Sequence, residues 1–381
     1  MDPLVIKPVE TLEERKSFLS FPWKVYKDNP YWVPPLFAER VHFTDPEENP
    51  FFEHAEAQLY MALRGQEIVG TIAAFTYHRH NEFHKDNIAF FGYFEVLEDY
   101  EAAEALFKTA EEWAKKRGHT ALRGPAQWSQ NDECGLLVDG FDDSPRVLMT
   151  YNPKYYVGYI EKLGYKYARD LWAYKISIKD FMQIIGERLD KLTTRILERK
   201  NITIRTLDMR KFDEEAEKVK LLYNNAWSKN WGFVPMTSSE FDQLAKGLKG
   251  IIDTDLVLIA EKDGKTVGFS IALPDVNEPL RLAYPKPNTP EWLAMVKLVW
   301  HWKIRKKVDW VRVITLGVIP EYRKLGIDAL FYYLTAKAAL KKGIKMGEMS
   351  WILDNNDLMN KPIIAMGGEV YKTYRMYEKP L

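Results

Sequence analysis

The sequence contains the same series of segments twice, about 200 residues apart. "ALRGQEIVG" at 62–70 and "AEKDGKTVG" at 260–268 each leave an apolar run, turn, and resume through an apolar residue and a glycine, which predicts a β-hairpin. A fixed offset between similar segments indicates a duplicated unit. Two further pairs share this offset: "LGYKYARDLWAY" at 163–174 with "MGGEVYKTYRMY" at 366–377, and "VIKPVE" at 5–10 with "TIRTLD" at 203–208.

Each copy reads as strand, helix, hairpin, strand, long helix, strand, short helix and final strand. The long helices are predicted from Tyr100 and from Gly326, and both have lysines shortly before a terminal glycine, a helix-ending pattern. This order predicts an α/β (α+β) protein with two tandem domains, each a mixed twisted sheet flanked by helices. We place the boundary near 180–200, with domains at 1–180 and 200–381.

The composition excludes several classes of protein. A hydrophobic fraction of 46% with 12 Trp, 21 Tyr and 19 Phe indicates packed globular domains. Lys plus Arg and Asp plus Glu both number 54, so no overall basic field favours nucleic acid. The single cysteine, Cys134, excludes an internal disulfide, and the first residues lack a signal-peptide pattern. With no apolar stretch near the roughly 18 residues that span a bilayer, we expect a cytoplasmic protein.

The two copies differ in the turn before the long helix. The second copy has "IPEYRKLGID" at 319–328, where Arg323, Lys324 and Gly326 stand at a helix start, an arrangement that suits phosphate. An ordinary exposed turn is the alternative. The first copy offers Glu98, Asp99, Glu101 and Glu104 instead, which would repel an anion. The copies also carry different extra segments, about 20 residues within 124–153 and about 25 within 274–308.

The second copy resembles the Gcn5-related N-acetyltransferase (GNAT) superfamily, whose acyl-CoA site is a strand, then Arg/Gln-x-x-Gly-x-Gly/Ala, then a helix. "VITLGVIPEYRKLGIDALFYYL" matches this pattern, except that Asp328 stands where the family has Gly or Ala. The resemblance implies acyl-CoA as co-substrate, with pantetheine along Leu316 and Val318. It places the pyrophosphate at the turn and an asparagine beside the arm; the residues are Arg323, Lys324, Leu325, Gly326, Ile327, Asp328 and either Asn355 or Asn356.

The tandem arrangement also resembles a bacterial subgroup linked to long-chain N-acylation and the bacterial ceramide synthases. The matching segments are "FPWKVYKDNPYWVPPL" at 21–36, "NDECGLLVDGFDD" at 131–143 and "YNPKYY" at 151–156. The resemblance implies that the second copy binds acyl-CoA and that the degenerate first copy shapes the acceptor side. The reaction would transfer an acyl group to a primary amine, either a small molecule or a lipid of the sphingoid type.

Acyl transfer to an amine needs a base and an acid. The superfamily often uses a Glu on the strand before the phosphate turn and a Tyr, yet "RVITLGV" has no carboxylate and "DLMNKPIIAM" has no tyrosine. The base candidates are therefore Asp132 and Glu133 and the acid candidates Tyr371 and Tyr374, although the two acids can instead cap a turn. The substrate-binding candidates are Trp128, Asn131, Cys134, Tyr151, Asn152 and Tyr155.

Three further interpretations stay open. Cys134 is either an acyl-carrying nucleophile or a buried structural cysteine, and no histidine lies near it in sequence. The histidines in "HRHNEFH" at 78–84 lack further ligands at metal spacing, so we expect a solvated loop and no metal. The segment 289–307 predicts a helix, with Thr289 and Pro290 at its start. Its apolar arc comprises Trp292, Met295, Val296, Leu298, Val299, Trp300 and Trp302, with Lys297, His301 and Arg305 opposite.

That helix either packs inside the protein or lies on a membrane surface, giving a peripheral contact at its inner face. Two other classes of protein remain beside an enzyme. A non-catalytic acyl-CoA or lipid-binding protein would keep the phosphate turn without a base and an acid. A structural module would bind no CoA.

Overall fold

The computed structural model describes residues 2–227 and 230–381, without the side chains of 192, 194–200, 225, 226 and 324. In the first copy, three antiparallel pairings join four strands, and a parallel pairing adds the fifth after a long helix. Its elements are β1 Leu4–Pro8, α1 Leu12–Ser20, α2 Pro22–Val25, α3 Phe37–Phe43, β2 Ala55–Arg64, β3 Glu67–Tyr77, α4 His78–His84, β4 Ile88–Val96, α5 Tyr100–Lys116, β5 Ala121–Gly124, β6 Leu136–Asp139, α6 Tyr155–Lys162 and β7 Lys166–Ser177.

The second copy repeats this order after a long connecting helix, which covers the predicted boundary. Again three antiparallel pairings are followed by one parallel pairing across a long helix. Its elements are α7 Ile178–Lys200, β8 Ile202–Thr206, α8 Phe212–Ala226, α9 Ser238–Lys249, β9 Val257–Lys262, β10 Lys265–Pro274, α10 Asn277–Ala283, α11 Glu291–Val299, β11 Trp310–Val318, α12 Ile327–Lys341, β12 Met346–Leu353, α13 Asp357–Ala365 and β13 Glu369–Pro380. The predicted fold class is confirmed.

The hairpins of the two copies share their register. Ala62 of β2 pairs with Gly70 of β3, and Ala260 of β9 pairs with Gly268 of β10. In both hairpins the register shifts by one residue directly beside this pair. The long helices also end alike, because Gly118 and Gly343 adopt the left-handed conformation at the two helix ends. The duplication seen in the sequence is therefore a duplication of backbone structure.

In each copy, the two parallel strands pair only at their start. β4 pairs with β5 over Ile88–Phe90, and β11 pairs with β12 over Trp310–Val313. Beyond these residues, in the described part of the chain, β4 and β11 continue beside their antiparallel neighbours alone. We call these openings the first fork and the second fork. A fork of this kind exposes strand backbone to whatever lies between the two strands.

The chain divides into two compact units that differ from the expected contiguous ranges. The first unit contains residues 1–171, 279–305 and 372–381, and the second contains 172–278 and 306–371. The C-terminal part of β13 belongs to the first unit because it continues the first sheet, with Tyr377 opposite Gly124 of β5. Sequence similarity follows the duplication, whereas the units follow strand pairing. The two divisions therefore differ at 172–180, 279–305 and 372–381.

Each unit has its own apolar core. In the first unit, α5 packs Leu106 and Phe107 against Phe91 and Phe94 of β4. In the second unit, α12 places Leu330 and Phe331 in the core formed with β9 and β10. The long helix of each copy thus covers the sheet of its own unit. No helix among the described residues is long and apolar enough to cross a membrane.

Of two expectations about local structure, one was wrong and one was confirmed. The histidine segment is not a solvated loop but the helix α4, in which His80 is buried against Phe90. Burial, together with the charges of the neighbouring His84 and Arg123, lowers the pKa of His80 to about 3. The helix predicted over 289–307 is present over 291–304, because α11 continues directly into a π-helical segment, Trp300–Ile304.

Candidate active site

The turn before α12 leaves a helix start without a side-chain cap. Residues Pro320–Leu325 form a 3-10 helix, and Gly326 follows with a φ of +80°, which favours glycine. Gly326 is the N-cap of α12, and because it has no side chain it supplies no capping hydrogen bond. Because the first N–H groups of a helix lack partners within the helix, this start suits an anion. The strand, turn and helix predicted for phosphate binding are all present.

The predicted cofactor residues lie around this turn. Arg323 is exposed, and its Nε donates a hydrogen bond to the carbonyl oxygen of Val318 at 3.1 Å. The side chain of Lys324 lies outside the described part of the structure. Asp328 is in the first turn of α12, and its charge adds to burial in raising the pKa of Tyr332. A negative charge therefore lies at the helix start that would hold phosphate.

The first copy fills the corresponding helix start with its own carboxylate. Asp99 is the N-cap of α5 and accepts a hydrogen bond from the N–H of Ala102 at 3.1 Å. Arg64 donates to Asp99 at 2.8 Å and lowers its pKa. The prediction that the turn of the first copy disfavours an anion rested on charge alone. The structure adds that the anion position is occupied by the chain.

The two forks differ in the same way. In the first fork, the N–H of Ala126 donates to the carbonyl oxygen of Phe91 at 3.0 Å, so the segment after β5 pairs with β4. The approach is so close that a Cβ on Gly92 would lie 1.8 Å from the carbonyl oxygen of Ala126. In the second fork, Ile314 of β11 stands at the position that Gly92 has in β4. Leu316 and Val318 follow Ile314 on the same strand. The extra segment of the first copy therefore occupies its fork.

A buried polar cluster stands at the base of the second fork. Arg312 of β11 pairs in register with Glu348 of β12, and Arg312 Nε lies 3.5 Å from Glu348 Oε1. Ser350 joins them: it accepts a hydrogen bond from Arg312 Nε at 2.8 Å and donates one to Glu348. The hydroxyl of Tyr371 donates to the other oxygen of Glu348. We call Arg312, Glu348, Ser350 and Tyr371 the fork cluster.

The fork cluster combines groups that can hold and move a proton. Glu348 is only 1% exposed, so its charge is balanced by Arg312 rather than by water. Tyr371 is half-buried and stacks on Trp310 with ring centres 5.9 Å apart, which fixes the direction of its hydroxyl. The hydroxyl of Tyr371, a half-buried residue, thus reaches the carboxylate of Glu348, which is buried. This geometry suits general acid–base chemistry.

Sequence reasoning identified Tyr371 but missed the other three members of the fork cluster. Arg312 and Glu348 each lie within an apolar strand, and only the parallel register of β11 and β12 brings them together. A charged residue inside each of two buried strands was the available signal, because buried charges are usually paired. The corresponding pair in the first copy is Phe90 and Arg123, so its fork has no carboxylate at this position.

The other acid and base candidates lie in the first unit. Tyr374 is fully buried and pairs in register with Leu137 of β6. Asp132 accepts a hydrogen bond from Ser129 Oγ at 2.6 Å. Glu133 accepts one from Arg40 at 2.7 Å, and the two form an ion pair. These contacts hold the loop after Trp128 in place, and the catalytic roles of the three residues remain predictions.

The remaining substrate candidates are used within the first unit. Trp128 is 1% exposed, and its Nε1 donates to the carbonyl oxygen of Phe43 at 3.0 Å. Asn152 is buried and bridges both backbone groups of Leu137, while Cys134 is buried beside Ala126. The other three candidates donate hydrogen bonds to neighbouring groups of the protein. The N–H of Asn131 donates to Ser129 Oγ, the hydroxyl of Tyr151 to the carbonyl oxygen of Phe141, and the hydroxyl of Tyr155 to the carbonyl oxygen of Val96.

A second carboxyl with altered ionisation lies on β4. Glu95 accepts hydrogen bonds from the hydroxyls of Tyr26 at 2.9 Å and Tyr156 at 2.8 Å. Burial raises the pKa of Glu95 to about 8, and these hydrogen bonds oppose part of the rise. Glu95 lies on β4, the strand before the turn of the first copy. The sequence analysis looked for a carboxylate on the corresponding strand of the second copy alone.

The end of β12 is fixed by a buried amide. Asn360 donates to the carbonyl oxygens of Leu353 at 3.0 Å and Asp354 at 3.1 Å, and accepts from the hydroxyl of Tyr174. The cofactor candidates Asn355 and Asn356 follow directly, with Asn355 exposed and Asn356 at the start of α13. For residues 2–227 and 230–381, no group of His, Cys, Asp or Glu is arranged to hold a metal ion.

Comparison with known proteins identifies the family. No family model matches the sequence. A curated protein named bacterial ceramide synthase, from Caulobacter vibrioides, is 37% identical over 99% of this chain and 98% of its own length. The chain belongs to the family of this ceramide synthase. Protein YghO of Escherichia coli K12 is a second relative of this ceramide synthase family, 34% identical over 96% of this chain and 93% of its own length.

The fold of this ceramide synthase family member is that of tandem GNAT proteins. A solved tandem GNAT protein from the clavulanic acid biosynthesis pathway aligns with a TM-score of 0.55 at 13% identity, covering 99% of this chain and 98% of its own. At this identity the likeness concerns the fold alone. The GNAT fold and the ceramide synthase relative together support acyltransferase activity in general terms. The resemblance drawn from the sequence is confirmed.

Proposed function

We propose that this protein is an N-acyltransferase that moves a long acyl group from acyl-CoA to the primary amine of a sphingoid-type lipid. The observation that carries the proposal is the second fork, which combines an uncapped helix start, an open strand and the fork cluster. The name of the Caulobacter relative, bacterial ceramide synthase, supports the choice of acceptor. The fold of the tandem GNAT neighbour supports the choice of donor.

In this proposal the turn before α12 holds the pyrophosphate of CoA. The N–H groups at the start of α12 and the charge of Arg323 would bind it, and Gly326 allows the backbone to turn closely around it. The pantetheine arm would then extend along residues 314–318 of β11, which lie beyond the pairing with β12. The thioester would reach the base of the fork, beside Tyr371 and Glu348.

The fork cluster can then carry one proton through the reaction. The amine nitrogen attacks the thioester carbonyl carbon and gives its proton to the oxygen of Tyr371 while Tyr371 gives its own to Glu348. When the carbon–sulfur bond breaks, the same relay returns the proton to the leaving thiolate, so the pair ends as it began. Arg312 holds Glu348 in position throughout. Asp132 and Glu133 remain the alternative bases.

Thermal stabilisation tests the donor site first. A ligand that binds only the folded protein raises its apparent stability. We expect palmitoyl-CoA to raise the melting temperature of the natural protein and to have little effect on Arg323→Ala/Lys324→Ala. The matched control is Arg210→Ala/Lys211→Ala, which removes an exposed Arg-Lys pair from a different 3-10 turn and should keep the response. No response of the natural protein to CoA, acetyl-CoA or palmitoyl-CoA would contradict the proposal.

Turnover tests the acceptor. We expect palmitoyl-CoA and a sphingoid base to yield the amide, detected by mass spectrometry, with release of one thiol per amide. The same base methylated to a tertiary amine should give no product. Binding of palmitoyl-CoA without turnover of any primary amine would show that the protein is an acyl-CoA-binding protein instead of an enzyme.

A further inference from the structure

The helix α11 and the π-helical segment after it expose apolar side chains to solvent. On α11, Ala294 and Leu298 are buried and anchor the helix in the first unit. The rest of its apolar surface points outward, with Trp292 67% and Trp300 54% exposed. We call the exposed set the α11 apolar face; it comprises Trp292, Met295, Val296, Val299, Trp300 and Ile304.

The exposed side chains of α11 form one continuous stripe. At about 100° per residue, Trp292, Val296 and Val299 fall within one side of the helix, opposite the buried Leu298. A surface helix ordinarily buries its apolar side and exposes its polar side. This helix has apolar residues on both sides. A contiguous exposed apolar stripe marks an interaction surface.

The charges around the stripe indicate what docks there. Lys297, Lys303 and Arg305 are exposed along the same segment, against one acidic residue, Glu291. Tryptophan side chains favour the interface between lipid headgroups and acyl chains, and lysines favour anionic headgroups. We propose that the α11 apolar face docks on the surface of an anionic lipid bilayer.

A second copy of the chain fits this face less well. In a two-fold dimer the same patch meets itself, so Lys297 and Lys303 of both copies would be brought into one interface. Like charges brought together in this way disfavour association. An anionic bilayer turns the same two lysines into attractive contacts. The inference does not depend on acyl transfer, although a lipid-like amine would be most concentrated at the surface that α11 contacts.

Vesicle co-sedimentation with the full chain tests the proposal. We expect the protein to sediment with sucrose-loaded vesicles of phosphatidylcholine and phosphatidylglycerol, and less with phosphatidylcholine alone. The variant Val296→Ser/Val299→Ser should bind about tenfold more weakly, because less apolar surface is buried. Its matched control is Val5→Ser/Leu340→Ser, since these two side chains are 55% and 47% exposed and the two valines are 58% and 46% exposed.

A charge variant separates the two contributions. Lys297→Glu/Lys303→Glu should lower binding to the anionic vesicles by more than about tenfold. Raising the salt concentration should weaken binding of the natural protein for the same reason. Thermal melts of each variant without vesicles establish that it is folded.

The outcomes are decisive in both directions. The proposal is supported if the natural protein sediments with anionic vesicles, the serine variant on α11 loses binding and the control variant keeps it. Equal losses in both serine variants, or no sedimentation of the natural protein, overturn it. If Val296→Ser/Val299→Ser instead converts an oligomer to a monomer in sedimentation velocity, the face is an interface between copies and the proposal is wrong.

Discussion

The first fork and the second fork share a backbone and differ in what occupies it. In both, the parallel strands pair only at their base, and a long helix starts beyond the open end. In the first, Ala126 bonds into the opening and Asp99 caps the helix start. In the second, the strand continues unpaired with its parallel neighbour and Gly326 leaves the helix start uncapped. Duplication kept the architecture, and a backbone contact from the inserted segment together with the capping carboxylate of Asp99 distinguishes the first fork from the second.

The strongest test of this difference exchanges one carboxyl in each copy for an amide. Glu348→Gln should lower turnover by about 10²- to 10⁴-fold, because the proton relay loses its acceptor. It should leave stabilisation by palmitoyl-CoA intact. The matched variant Glu95→Gln changes a buried carboxyl on β4 of the first copy. It should alter turnover by less than about threefold. A larger loss in Glu95→Gln than in Glu348→Gln would move the chemistry to the first copy.

The two acid candidates on β13 give a second test. Tyr371→Phe should lower kcat by about tenfold to 10³-fold, since the group that delivers the proton is removed. Tyr374→Phe should leave kcat unchanged, because Tyr374 is fully buried in the first unit. Steady-state kinetics with the amine saturating measures both. The reverse result would identify Tyr374 as the acid.

The ionisation of Glu95 predicts a pH dependence of stability that belongs to the first copy. The pKa of Glu95 is about 8 in the folded protein, above its ordinary value, so the unfolded chain loses this proton first as pH rises. Stability contributed at this site therefore falls between about pH 4.5 and pH 8, by roughly 2 kcal/mol or more. Urea unfolding across this range should show the fall in the natural protein and a flatter profile in Glu95→Gln. Parallel profiles for the two proteins would contradict the assignment.

Removing the cap of the first copy should affect folding but not the cofactor. Asp99→Ala leaves the start of α5 without its capping carboxylate and should cost about 1 kcal/mol. Arg64 lowers the pKa of Asp99, so the contribution of Asp99 is present above its ordinary value and is lost as pH falls below it. Chemical denaturation at neutral and acidic pH measures both effects. A change in the affinity for palmitoyl-CoA would show that the first helix start takes part in binding.

The smallest expected effect comes from the carboxylate at the second helix start. Asp328→Asn should tighten palmitoyl-CoA binding by about two- to fivefold, because it removes a negative charge near the phosphates. Isothermal titration measures the change, and it should shrink as salt is raised. Weaker binding by the variant would mean that Asp328 supports the helix more than it repels the ligand.

The sequence was sufficient to predict features that depend on neighbouring residues. The hairpin at Ala260 and Gly268, the end of α12 at Gly343 and the turn at Gly326 all follow local rules, and all are present. The pairing of Arg312 with Glu348 depends on how two distant strands align, which no local pattern fixes. Ala126 in the first fork was hidden for the same reason, since a contact across the fork leaves no periodic pattern.

The helix α4 shows a different limit. Its histidines and charges resemble a surface connection, yet His80 packs on Phe90 and stays uncharged because burial disfavours the protonated form. Residue type alone favoured solvent at these positions. Tertiary packing decided otherwise, and the position of the aromatic partner on another strand was not readable from the segment itself.

The hydrogen bond between Ala126 and Phe91 also affects how easily a free ligand could enter the first fork. A segment joined to β5 by the chain itself is present at the first fork at an effective concentration on the order of millimolar or above. Free acyl-CoA would have to displace that tethered segment, whatever the metabolic state. Under the proposed function, the occupancy of the second fork alone would follow the supply of acyl-CoA, because the chain itself occupies the first.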